Sequence, residues 1–375
     1  MSNLVRRVAG GNTLLVDGPA SLKIVSGKAS ILGCPLKVNR SYLMRPWRRY
    51  PVYADSDFEA EIKLAEMGAA DTVAENTIRP DWLETISQVG EGSKVVVMGA
   101  SDTGKTALAT LLANRLVKGG GCILACLDPG QSYLSPPTTV GASILGEPIY
   151  DPAHAKPAAI IPVGYVSPQQ EPYNLLKAVA RLAEWAGGSR ANSLVVDIDG
   201  WVEGEEAENL KSKLVTIIGP THVIFISKRI ESIERWCVDM GCKSFEVEKP
   251  DHVLARGQNA RRELRAMSYR RFLRNASVRT IPMRWVKAET VHQTKLDPVT
   301  YAIQVSSTLE EERGEKGLLS YLAGDNDILY NIGLLQRYNS EKQAVKIYTN
   351  MLGPVKKILL GRVLLTPDGD ESGFI

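Results

Sequence analysis

The sequence predicts an α/β protein: a central domain with a parallel sheet covered by helices, flanked by N-terminal and C-terminal β-rich domains. Three observations lead there. Short alternating runs fill the chain before residue 89, long apolar strands alternate with helical periodicity after it, and short turn-bounded runs return beyond residue 284. At 375 residues with 44% apolar and 23% charged side chains, the composition is that of an ordinary globular chain. The length suits about two or three domains.

In the N-terminal region, 1–88, the stretch "TLLVDGPASLKIVSGKASILGCPLKV" alternates apolar and polar residues, and Ser26 and Gly27 are expected to make a hairpin turn. The central region, 89–284, opens on the strand "KVVVM". Leu108, Leu111, Leu112 and Leu116 then keep the rhythm of one helix face, stopped by Gly119 to Gly121. "CILACLD", "SLVVDIDG" and "HVIFIS" follow as strands, interleaved with the helices "PYNLLKAVARLAEWA" and "EAENLKSKLVTII". Such alternation argues for parallel strands covered on both faces. Ala260 to Asn275 reads as an arginine-bearing helix. In the C-terminal region, 285–375, "YAIQVSS", "GLLSYLAG", "AVKIYTN" and "KKILLGRVLLT" read as strands.

Composition narrows the function classes. No apolar run approaches the ~18 residues of a membrane span, and "MSNLVRRVAGGN" lacks the apolar core of a secretion signal. A soluble, cytoplasmic protein that does not enter membranes is expected. The five cysteines (Cys34, Cys122, Cys126, Cys237, Cys242) are odd in number and lack zinc spacing, which suits free thiols. The whole chain carries +3, yet nine arginines against one acid, Glu263, give +8 between Ala255 and Arg284. The basic character is therefore local.

The motif "GASDTGKT", Gly99 to Thr106, stands between the apolar strand and the periodic helix, the context a phosphate loop requires. Gly99 and Gly104 let the backbone turn its N–H groups toward a phosphate. Ala100, Ser101, Asp102, Thr103 and Ala107 complete the cradle, Lys105 reaches the β and γ oxygens, and Thr106 is placed to ligate Mg2+. A nucleoside triphosphate is the expected ligand. The guanine-reading pattern N-K-x-D of a GTPase is missing; ATP is the expected nucleotide, with GTP open. Acids at the other strand ends come next, because open parallel sheets bind ligands outside their carboxyl edge. These are Asp128 in "ILACLDPGQS" and Asp197 with Asp199 in "SLVVDIDGW". A carboxylate there can hold metal or take a proton from an attacking hydroxyl.

Together, "GASDTGKT", "LDPGQS" followed by "SPP", "DIDGWVEG" and "RRELRAMSYRRFL" resemble, in this order, four elements of the polynucleotide 5′-hydroxyl kinases. These are the archaeal RNA kinases related to the kinase subunit of the eukaryotic mRNA cleavage factor. The elements are the phosphate loop, a D-x-G-Q motif, a T-x-G-W clasp and an arginine-rich lid, and the resemblance extends to the three-part layout with a P-loop kinase centre. It implies that Lys105 and Asp128 are catalytic, that Thr106 and Asp128 meet the metal, and that Arg261 and Arg265 are the paired lid arginines. Gln131, Trp201 and Arg262 are the implied substrate contacts, and the implied substrate is an RNA, and possibly DNA, 5′ end. The sequence departs from the family at Cys126, where many relatives carry an acid, and at Ile198, where the clasp has threonine. Asp197 or Asp199 is the candidate replacement.

An isolated basic run is ordinarily a solvated helix face. Here the segment contains no lysine, and planar guanidinium forks suit both a transferring phosphoryl group and a nucleic-acid backbone. The resulting expectation is transfer of the γ-phosphoryl to a polynucleotide 5′ hydroxyl. A nucleotide-bound scaffold of an RNA-processing assembly is the alternative.

Overall fold

The computed structural model describes residues 2–292, 294–311 and 316–375. The chain divides into two compact units. Unit 1 comprises Met1–Ala125, Ile144–Ala155 and Arg190–Arg261; unit 2 comprises Cys126–Ser143, Lys156–Ser189 and Arg262–Ile375.

The N-terminal part of unit 1 is β-structure, as its alternation predicts. One antiparallel sheet orders Ser2–Val8, Phe58–Leu64, Ala20–Ser26 and Ser41–Met44; a second orders Cys34–Pro35, Ala29–Ile31, Arg49–Ala54, Thr13–Asp17 and Ala69–Val73. Every second residue of Ala20–Ser26 and of Phe58–Leu64 is buried, the mark of strands with one face on a core. The expected hairpin at Ser26 and Gly27 is corrected: Ala20–Ser26 pairs with Ser41–Met44 and Phe58–Leu64, whereas Ala29–Ile31 pairs in the other sheet. Gly27 thus carries the chain between sheets. It needs glycine, because its φ is 85° and a Cβ there would lie 2.0 Å from the Asp57 carbonyl oxygen.

Helix α1 (Pro80–Ser87) starts on a proline, whose fixed φ suits a first helical position. It buries Trp82, whose indole N–H donates to the Glu248 carbonyl at 2.9 Å. The central strands of unit 1 run in the order Cys122–Cys126, Ser193–Asp197, Lys94–Met98, His222–Ile226, Lys243–Val247. Lys94–Met98 pairs in parallel with both neighbours, and His222–Ile226 with Lys243–Val247. The order places Lys94–Met98, first in sequence, in the middle, with later strands added on either side. The winding therefore reverses beside it, and its carboxyl end is where open sheets of this kind bind ligands. Helix α2 (Lys105–Leu116) follows directly and buries Leu108, Leu111, Leu112 and Leu116, the predicted face.

Helix α3 (Pro172–Gly187) lies in unit 2 and buries Leu175, Ala178, Val179 and Leu182, spaced as one helical stripe. Helices α4 (Glu205–Ile218) and α5 (Glu231–Met240) belong to unit 1, and α5 is an element beyond those expected from the sequence. Helix α6 (Gln258–Phe272) is the arginine-bearing one.

The C-terminal sheet of unit 2 orders Ser277–Pro282, Ala344–Thr349, Asn331–Asn339, Gly317–Ala323, Lys357–Leu365 and Lys287–Thr290, with Glu371–Phe374 also paired to Lys357–Leu365. Two apolar clusters use its residues. One includes Tyr269 and Leu273 from the α6 region with Leu319 and Tyr321. The other includes Tyr301, Ala302, Val305 and Leu309 of helix α7 (Pro298–Glu311). The expected strand "YAIQVSS" is therefore corrected to helix. Asp297 Oδ1 accepts from the N–H groups of Val299 and Thr300, and Pro298 sits at the first turn, so the helix is capped where the sequence reads Asp-Pro. Strands Thr139–Leu145 and Ala159–Pro162 pair antiparallel, a departure from all-parallel pairing that the sequence did not announce. Among the described residues, no helix is long and apolar enough to cross a membrane.

Gly27→Ala should destabilise the protein by at least about 1–2 kcal/mol, the cost of forcing a side chain into left-handed backbone. Chemical denaturation of the two proteins measures it, and an unchanged midpoint would contradict this account of the turn.

Candidate active site

The phosphate loop of unit 1 joins a fully buried strand end to α2. Gly104 has φ 96°, and a Cβ on it would come 3.2 Å from the Trp82 ring. The loop is internally tied: Thr103 Oγ1 and Lys105 Nζ both donate to the Ala100 carbonyl, at 2.8 and 2.7 Å. Lys105 is buried, and its ammonium is held along the loop it serves. Thr106 Oγ1 donates to Asp197 Oδ2 at 2.8 Å. This pair joins the start of α2 to the end of the Ser193–Asp197 strand, which neighbours Lys94–Met98 in the sheet. A hydroxyl and a carboxylate at that place are the hard oxygen donors magnesium takes.

The segment after Asp197 packs on the loop itself. A Cβ on Gly200 would lie 2.7 Å from the Ser101 nitrogen and 2.9 Å from its Cα. Asp199 Oδ1 accepts from the Trp201 N–H at 2.9 Å, and Asp199 Oδ2 forms a buried ion pair with Lys211 of α4. Asp197 and Asp199 thus divide the work: one meets Thr106, the other anchors the Trp201 turn. Ile198, between them in sequence, is buried.

Asp102 is the loop's own carboxylate, and it is surrounded by arginines. Arg256 reaches Oδ1 through Nε and Nη2 at 2.9 and 2.7 Å, and its backbone N–H reaches Oδ2 at 3.1 Å; Arg261 Nη2 reaches Oδ2 at 2.8 Å. Burial alone would raise the Asp102 pKa. Arg256 and Arg261 outweigh it and hold the carboxyl below its ordinary value.

The remaining expected site residues lie in unit 2. Asp128 Oδ1 accepts from the backbone N–H groups of Gly130 and Gln131, both at 2.9 Å, which fixes the carboxylate on a tight turn. Gln131 Nε2 donates to the Gly130 carbonyl at 2.9 Å. Cys126 is buried. Arg265 pairs with Glu371 through two bonds of 2.7 and 2.8 Å, and Arg262 Nη2 donates to the Glu371 carbonyl at 3.0 Å. Burial would lower the Arg265 pKa, but Glu371, Tyr269 and Asp128 act against it and the guanidinium is held above its usual value. Asp128 and Arg265 therefore feel one another's charge.

The residues expected from sequence thus fall into two sets. The loop, Lys105, Thr106, Trp201 and Arg261 belong to unit 1; Asp128, Gln131, Arg262 and Arg265 belong to unit 2. Sequence reasoning missed Arg256, Lys211 and Glu371 as partners. Arg256 was visible as part of the basic segment, whereas the pairings over 12 and 106 residues carry no local signal.

Residues 99–275 match the family model described as the mRNA cleavage and polyadenylation factor CLP1 P-loop. This segment belongs to that family. The match runs from the first glycine of the phosphate loop to just past the arginine-bearing helix α6, and its loop is accordingly a nucleotide-binding one. Over 323 residues the chain is 20% identical to the polyribonucleotide 5′-hydroxyl-kinase of Pyrococcus furiosus, covering 76% of this chain and 90% of that protein. It is 31% identical to the polyribonucleotide 5′-hydroxyl-kinase Clp1 of Xenopus tropicalis over 151 residues, 36% of this chain and 34% of the other. Among solved structures, Clp1p in complex with Pcf11p superposes with a TM-score of 0.73 at 16% identity, over 96% of this chain and 97% of that one. That likeness establishes the P-loop fold with its β-rich flanks.

Two outcomes follow from the loop geometry. Gly200→Ala should displace Ser101 and weaken nucleotide binding by at least about tenfold, roughly 1.4 kcal/mol, read by titration with a fluorescent nucleotide. Unchanged affinity would mean the Gly200 contact is dispensable. Separately, Asp102 has a folded pKa below its unfolded one, so its pairing stabilises the fold above the usual carboxyl pKa of about 3.9 and is lost as pH falls through the folded value. Asp102→Asn should lower the melting temperature at neutral pH and narrow the difference between neutral and acid melts.

Proposed function

We propose that the chain is a polynucleotide 5′-hydroxyl kinase, transferring the γ-phosphoryl of ATP, or GTP, to the 5′ hydroxyl of an RNA or DNA end. The observation that carries the reading is the phosphate loop with its Thr106 and Asp197 pair, inside a segment of the CLP1 P-loop family. The names of the archaeal relatives supply the acceptor.

In this reading the Gly99 to Ala107 backbone holds the triphosphate, and Lys105 neutralises charge on the β and γ oxygens. Thr106 Oγ1 with the Asp197 carboxylate is the donor set for magnesium, and Asp128 is the second carboxylate assigned to it. Bound magnesium supplies electrostatic stabilisation to the phosphate oxygens. Asp128, oriented by the Gly130 and Gln131 N–H groups, takes the proton from O5′ as the O5′–Pγ bond forms and the bond from Pγ to the β–γ bridging oxygen breaks. Arg261 and Arg265 stabilise the equatorial oxygens of the moving phosphoryl, since their planar forks stay charged. Trp201, Gln131 and Arg262 contact the substrate end. The three-part division, with boundaries near residues 88 and 284, is the functional partition that goes with these roles.

The protein is tested with γ-labelled ATP, magnesium and matched 5′-hydroxyl RNA and DNA oligonucleotides. Label should appear on the oligonucleotide and be lost in Lys105→Ala and Asp128→Asn. Nucleotide binding without any label transfer would replace the kinase by a nucleotide-holding scaffold.

A further inference from the structure

Arg262 and Arg265 of α6 share one partner, Glu371, which lies 109 and 106 residues away in sequence. The strands Lys357–Leu365 and Glu371–Phe374 pair antiparallel across a tight turn. In that turn the Gly369 N–H donates to the Thr366 carbonyl at 2.9 Å, and the Thr366 N–H to the Asp370 carbonyl at 3.0 Å. The strand register slips by one residue: Gly373 stands opposite Leu364, yet Glu371 stands opposite Leu365, so Ser372 is extra. A bulge of this kind re-aims side chains. Leu365 belongs to the apolar cluster that also holds Tyr269 and Leu273, so Glu371 is set on the sheet face where α6 packs.

Three contacts tie the turn to the helix. The Glu371 carboxylate accepts from Nε and Nη2 of Arg265 at 2.7 and 2.8 Å, with the two side chains only 13% and 19% exposed. Its carbonyl accepts from Arg262 Nη2 at 3.0 Å. Gly369, at φ 83°, lies so near that a Cβ on it would be 2.6 Å from the Ala266 carbonyl oxygen and 3.0 Å from Tyr269 Cβ. Tyr269 is fully buried, so packing and charge fasten α6 at the same place.

The fork on Arg265 is one-sided. It occupies the Nε–Nη2 edge, and a guanidinium keeps a second pair of donors on its Nη1–Nη2 edge. A long side chain loses rotamer freedom when it grips a phosphoryl group, and Glu371 imposes that loss beforehand. Donors fixed in advance stabilise a transition state without reorganising. We infer that Glu371 is a positioning residue: the Thr366–Glu371 turn clamps α6 and sets Arg265, by its Nε edge, for the moving phosphoryl group. The inference takes the role of Arg265 from the kinase reading, whereas the clamp itself stands without it.

Glu371→Ala should lower kcat by about ten- to a hundredfold and leave KM for ATP within about twofold, because the loss falls on the transition state. Glu371→Gln keeps the shape and one acceptor and should retain part of the rate; it carries the test if the alanine variant fails to fold. An unchanged kcat would overturn the inference. A raised kcat would do so too, since the carboxylate would then be competing with phosphate for Arg265. A double-mutant cycle separates positioning from general support. Arg265→Ala combined with Glu371→Ala should be no slower than Arg265→Ala alone, and a further loss would mean that Glu371 does not act through Arg265. The clamp is read apart from turnover by amide hydrogen exchange. In Glu371→Gln, exchange should rise across Arg262 to Tyr269 while Gly317–Ala323 stays as protected as before. Unchanged exchange across α6 would overturn the clamp even in an active kinase. Raised exchange in a protein that transfers no phosphate would uphold the clamp and sink the kinase reading.

Discussion

Phosphate binding by main-chain N–H groups demands one backbone shape between Met98 and Lys105, and unit 1 is arranged to impose it. The strand before the loop is buried along Val95 to Met98, and the helix after it is buried along its leucine face. Trp82 lies against Gly104 on one side and Gly200 presses on Ser101 on another. The loop also closes on itself through the Ala100 carbonyl, which accepts from both Thr103 and Lys105. Glycine at 104 and at 200 serves different ends: the first permits a left-handed turn, the second permits contact.

A phosphate site is an unfavourable place for carboxylates, yet unit 1 carries three near the loop, and each has a definite partner. Asp102 meets Arg256 and Arg261, Asp197 meets the Thr106 hydroxyl, and Asp199 meets Lys211 with both groups buried. A buried pair such as Asp199 and Lys211 is weak evidence for stability, because desolvation opposes the attraction. Its evident use is positional, since the same carboxylate fixes the Trp201 backbone. In unit 2, Glu371 does the corresponding work for Arg262 and Arg265.

Much of this was legible in the sequence where the signal is local. The phosphate loop, the leucine face of α2, the strands at Cys122, Ser193 and His222, and the arginine-bearing helix all declare themselves through spacing. The segment "YAIQVSS" misled because its β-branched and aromatic residues resemble a strand. The Asp-Pro that caps α7 lay just upstream, and burial of Tyr301, Ala302, Val305 and Leu309 is the outcome that tertiary packing chose. Gly27 looked like a hairpin turn because a turn residue does not say which strand its neighbours will pair with. Asp197 and Asp199 were visible as acids at a strand end, but only packing separates the one facing Thr106 from the one facing Lys211.

The Asp102 pairing also affects how the basic segment should be interpreted by mutagenesis. Truncating Arg256 or Arg261 removes a donor and at the same time uncovers a negative charge inside the loop that receives phosphate. Such a variant reports the lost guanidinium and the released carboxylate together, so its effect exceeds what the arginine alone contributes. Only a double-mutant cycle with Asp102→Asn separates the two, because residues in one ion-pair network do not combine additively.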